Sequence, residues 1–146
     1  MPLDFSLEIR GYNRVENNLR RLASDMEKEL DPATYAWAQD TRARLKSTPY
    51  PPKRQNQRYI RTGRFANSWR VDKVQDSRYQ INNFARGPRG GFYAGYVAGD
   101  GRGENQAWMH QGRWWIARDV IEGRMDNLRT RMIQRLVQVW ESGNDY

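Results

Sequence analysis

Between Asp4 and Arg10 the apolar residues Phe5, Leu7 and Ile9 alternate with polar ones, the period of a strand with one buried face, and Gly11 closes the run. From Val15 the spacing changes. Val15, Leu19, Leu22, Met26 and Leu30 recur at steps of three and four, which gathers them on one side of a helix and leaves Arg14, Arg20, Arg21, Glu27 and Lys28 facing water. Asp31-Pro32 reads as a restart, because Asp accepts hydrogen bonds from the free amides of a new helix and Pro is tolerated at its first position. A second helix is predicted from there to about Lys46.

Thr48-Pro49-Tyr50-Pro51-Pro52 forbids further helix, since its prolines remove backbone donors and push the residues before them into extended geometry. The chain to about Tyr59 is then an extended loop. Thr62 can cap a short helix in which Phe65 and Trp69, four apart, share a face. Arg70–Val74 and Tyr79–Phe84 are strand-like runs around Asp76-Ser77 and predict a hairpin. Arg86-Gly87-Pro88-Arg89-Gly90-Gly91 is a basic turn, and Phe92–Val97 reads as a third strand before the glycines at 99, 101 and 103.

Ile121, Met125, Leu128, Met132, Leu136 and Val139 step by three or four behind a possible Asp119 cap, which predicts an amphipathic C-terminal helix ending near Ser142-Gly143. Gly123 weakens its first turn by ~1 kcal/mol relative to Ala. The expected architecture is α+β in one domain, 1–146. A small antiparallel β-sheet is packed with N-terminal helices and the long C-terminal helix, and the loops at about 48–60 and 86–104 are flexible.

The length of 146 residues suits a single core. Apolar residues are only 38%, yet six Trp, eight Tyr and four Phe supply enough bulk to fold. The absence of cysteine excludes disulfides, thiolate nucleophiles and Cys-based zinc sites. No apolar run approaches the roughly 20 residues that cross a bilayer, and MPLDFSLEIR lacks the basic and apolar regions of a signal peptide. A soluble chain without an export signal is expected.

The net charge of +8 points to a polyanionic neighbour. Between Thr41 and Val71 stand nine basic residues (Arg42, Arg44, Lys46, Lys53, Arg54, Arg58, Arg61, Arg64, Arg70) and no acidic one. Tyr50 and Tyr59 interleave with them, as on surfaces that stack single-stranded bases; a solvated basic loop is the alternative.

No catalytic, cofactor or metal residues are predicted. The single His110 has no cysteine partner, and it reads either as a structural or interface histidine or as a general base beside Arg113. With Asp100 and Glu104 it makes a thin metal set, and Gly99–Gly103 does not continue into a phosphate-binding Gly-Lys-Ser or Gly-Lys-Thr. Trp108, Trp114 and Trp115 crowd one segment; core packing accounts for one or two, and the remainder suits an assembly hot spot. The interface or DNA-facing candidates are Arg54, Arg58, Arg61, Arg64, Arg86, Arg89, Trp108, His110, Arg113 and Trp114.

The opening strand with Gly11 before a helix, Pro51-Pro52, the run from Tyr59-Ile60-Arg61-Thr62-Gly63 to Trp69, Tyr93-Ala94-Gly95-Tyr96-Val97 and Gln106–Trp114 together resemble a known family over most of the chain. It is that of the neck and minor tail proteins of tailed bacteriophages, of the head-tail joining or tail-completion type. The resemblance implies a small antiparallel sheet with flanking helices, assembled as a homo-oligomeric ring, often hexameric, between portal and tail. It implies no catalysis and no cofactor. The implied partners are portal or head-completion and tail-tube proteins, with non-specific contact to phage DNA and no membrane. The implied location is the virion, after synthesis in the bacterial cytoplasm. The glycine-rich stretch Asp100–Glu104 is longer than the family spacing.

Two other readings belong to different classes. One is a small basic nucleic-acid-binding module, which predicts salt-dependent affinity as a monomer. The other is a toxin-type ribonuclease using His110, Arg113 and a tyrosine, which predicts RNA cleavage lost in His110→Ala.

Overall fold

Helix α1 runs unbroken from Tyr12 to Ser47 in the computed structural model, which describes residues 11–58, 61–99 and 105–143 and, of Tyr12, the backbone only. The strand expected over Asp4–Arg10 and the stretch Asp100–Glu104 lie outside the described residues. Gly11, at φ 89°, precedes the first turn of α1. Where two helices are expected, Pro32 instead sits inside one. A proline there removes one helical donor and crowds the carbonyl four residues back. Packing on both sides outweighs that cost. Leu22, Met26 and Leu30 are half-buried before Pro32, and Ala33, Trp37, Ala38, Thr41 and Leu45 are buried after it, while Pro32 itself is exposed.

Asp31 does not cap a new helix. Its carboxylate instead accepts hydrogen bonds from the Ser77 amide (2.6 Å), the Tyr79 hydroxyl (3.0 Å) and Lys73 Nζ (2.9 Å), and so ties the hairpin turn to the middle of α1. The hairpin comprises β1 (Trp69–Gln75) and β2 (Arg78–Asn83), antiparallel, with Trp69 opposite Asn83 and Val71 opposite Ile81. Ser77 turns the chain at φ 57°. The ring of Tyr79 packs tilted at 46° against Tyr35 of α1, 5.4 Å between centroids.

The expected third strand does not form. Phe92 keeps one bridge to Arg86, and the chain then coils into the short helix α3 (Ala94–Ala98). Tyr93 with Val97 and Ala94 with Ala98 lie four apart, so one helical turn presents all four to the core, where a strand would turn half of them away. Among the described residues the sheet is two-stranded, and the class is α+β.

The C-terminal region is two helices rather than one. α4 (Ala117–Glu122) starts after Ile116, not at an Asp119 cap, and the chain breaks at Gly123-Arg124 before α5 (Met125–Gly143). The break has a partner, since Trp37 Nε1 donates to the Arg124 carbonyl at 3.0 Å. From there α5 returns along α1 until Gly143 comes alongside Leu22, and Arg131 pairs with Asp40 at 2.7 Å. Leu128, Met132, Leu136 and Val139 face α1 half-buried, and no residue of α5 is fully buried. No helix among the described residues is long and apolar enough to cross a membrane.

The core sits at the opposite end of α1. Leu45, 1% exposed, meets Phe65, Trp69, Ala85, Ala98 and Ala117, with Tyr50, Tyr93, Trp114 and Trp115 packed around them.

Candidate functional site

The prolines after α1 bring Tyr50 back over the core. Its ring lies 5.2 Å from Trp114 and 6.2 Å from Phe65, and its hydroxyl accepts the Ala66 amide at 2.9 Å. Ala66 belongs to α2 (Arg64–Asn67), whose entrance is made by Gly63 in the left-handed region at φ 71°. A side chain at that φ is strained, so glycine suits the turn. Thr62, expected as the cap, lies one residue earlier and accepts the Arg64 amide at 3.3 Å. Phe65 and Trp69 do share a face, edge to face at 5.7 Å.

The other wall comes from residues 105–116. Gln106, buried, donates through Nε2 to the carbonyls of Val97 (2.8 Å) and Trp114 (3.4 Å), which pins this irregular segment to α3. His110 then packs edge-on to Trp114 at 5.6 Å. Between the walls lies a cleft of about 440 Å³. The rings of Tyr50, Phe65, Tyr93 and Trp114 line it with Val97 and Met109; Arg61, Arg64, Gln57 and His110 supply its polar edge, and no acidic residue lines it among the described residues.

The arginines around this cleft are tethered through backbone carbonyls. Arg54 Nη2 donates to Met109 O at 3.4 Å and Arg113 Nη2 to Pro52 O, so two segments distant in sequence clasp each other. Arg64 Nη1 donates to Arg86 O at 3.0 Å, and Arg86 Nη1 to Gly90 O at 3.1 Å while its guanidinium covers Phe92 at 4.1 Å. Arg61 lies over the rings of Tyr50 (5.6 Å) and Trp114 (6.0 Å). A carbonyl bond satisfies donors without neutralising charge, and no carboxylate pairs with Arg54, Arg64, Arg86 or Arg113 among the described residues.

That field reaches His110. Burial pushes its pKa below the ordinary imidazole value, and the guanidiniums of Arg113 and Arg54 push in the same direction. Burial likewise raises the Tyr93 hydroxyl. His110 Nδ1 and the indole nitrogen of Trp114 are buried without a hydrogen-bond partner among the described residues, as are the indole nitrogens of Trp69 and Trp115. No group of three or more His, Asp or Glu able to hold a metal occurs among the described residues.

Of the ten candidates, the cleft gathers Arg61, Arg64, His110 and Trp114 in its lining. Arg54 and Arg113 brace it from behind. Arg58 and Arg89 are exposed elsewhere, Arg86 holds the 86–90 turn, and Trp108 stands 77% exposed outside the cleft. Sequence reasoning missed the positioning role of Gln106, since an isolated amide in an irregular segment has no periodicity to reveal it.

Comparison with models of known protein families, with curated proteins and with solved structures finds no match for this chain.

Proposed function

We propose that this protein is a structural subunit of the neck or tail-completion class of tailed-phage virions, and that it works by associating with copies of itself and with neighbouring head and tail proteins. The observation that carries the reading is apolar surface left exposed, among the described residues, at the start of α1 and along α5. Val15 and Leu19 are each 58% exposed there, with Ile133, Val137 and Trp140 exposed at steps of three and four along α5.

A second copy fits this face. A groove of about 940 Å³ between the two helices carries both signs on its rim, Arg14 and Glu29 beside the Lys28–Asp25 pair at 3.2 Å, so copies can set opposite charges against each other.

The test is oligomeric state. Light scattering on the purified chain should give a discrete oligomer, ring-shaped in negative stain, and Ile133→Asp with Val137→Asp should return it to the monomer with its helical circular dichroism intact. A wild-type chain that stays monomeric at its highest soluble concentration would sink the reading. In a phage carrying this gene, an early stop codon should leave DNA-filled heads and free tails separate; intact infectious virions would count against a joining role.

A further inference from the structure

We infer that the cleft between Tyr50, Phe65 and Trp114 is a nucleotide site, taking one base and its phosphate. Three features converge on that chemistry. The first is size: about 440 Å³ is room for one nucleotide and falls within the range of small-molecule sites. The second is the wall. Tyr50, Tyr93 and Trp114 offer ring surface to a base, and the guanidinium of Arg61, which lies over Tyr50 and Trp114, adds positive charge at that wall.

The third is charge. Arg61 and Arg64 line the opening, Arg54 and Arg113 stand behind it with their positive charge uncompensated by the carbonyls they bond, and no acidic residue lines the cleft among the described residues. A flat ring beside a phosphate matches this set better than an acidic peptide, whose carboxylates would use the arginines and leave the aromatic wall without a partner. The nucleotide can arrive free or as one unit of a single strand. The phosphate contacts hold it in place without reading sequence.

The inference is independent of the assembly surface on α1 and α5. The experiment uses the full chain at low salt, with a fluorescein-labelled oligo-dT strand followed by anisotropy and AMP followed by calorimetry. Arg61→Gln with Arg64→Gln should weaken binding about tenfold or more and flatten its salt dependence. Met109→Trp, which fills the cleft from a side chain that is already 44% exposed, should weaken it comparably. Arg89→Gln should change little, and light scattering on the same samples should show no change in mass. Binding of the strand alone identifies a strand unit; binding of both probes identifies the nucleotide itself as sufficient. The inference is overturned if neither probe binds, if the double variant and Met109→Trp bind like wild type, or if poly-glutamate binds as tightly as oligo-dT.

Discussion

His110 couples the cleft to pH through its surroundings rather than through any chemistry of its own. Its pKa in the fold lies below the ordinary 6.5, because burial disfavours the charged ring and Arg113 and Arg54 repel it. Below that pH the unfolded chain binds the proton that the folded chain resists. Stability is therefore intact above the unfolded pKa and declines as pH falls toward the folded one. Thermal melts should show a lower Tm at about pH 5.5 than at about pH 7.5, and His110→Gln should shrink the difference. Asp31 acts in the acid range. The Ser77 amide and then Lys73 hold its carboxyl below the ordinary 3.8, so its contribution is present above that value and is lost as pH falls through the folded pKa. Asp31→Asn should lower Tm at neutral pH by a few degrees and flatten the acid limb of the stability curve. Single residues were only partly legible in the sequence. The aromatic surplus and the candidates Arg61, Arg64, His110 and Trp114 stand out from composition and spacing. That Arg54 and Arg113 reach carbonyls 55 and 61 residues away leaves no local trace.

At the scale of elements, α1 shows how packing overrides a local rule. Its apolar period is legible on either side of Pro32, and only the folded backbone shows that the two halves are one helix, with Trp37, Ala38 and Leu45 buried along the second. Pro32→Ala should therefore restore a backbone donor at an exposed site and raise unfolding stability by about 1–3 kcal/mol, measured by urea titration. The joint between α4 and α5 behaves in the opposite sense. Trp37→Phe keeps a ring but leaves the Arg124 carbonyl without its indole donor, and should cost about 1 kcal/mol in the same titration. The hairpin was legible because alternation and a polar turn coincide. α3 was not, because a six-residue apolar run satisfies a strand and a single helical turn equally well, and only contact with the core separates them.

For the molecule as a whole, the interior is thin. The buried apolar residues are nine among those described, and five of them are alanines, so few side chains carry the packing. Leu45→Ala should cost about 2–5 kcal/mol, a large part of the stability of a single domain, and circular dichroism should show it partly unfolded well below the wild-type Tm. The α+β class and the amphipathic C-terminal region follow from sequence periodicity; the concentration of the core at one end of α1 does not, because it depends on which long-range contacts close. That placement makes α1 a ruler. From Val15 at the exposed tip to Leu45 in the core is about 45 Å of continuous helix. Copies joined through Val15 and Leu19 would therefore hold their clefts at a stand-off set by the length of that one helix.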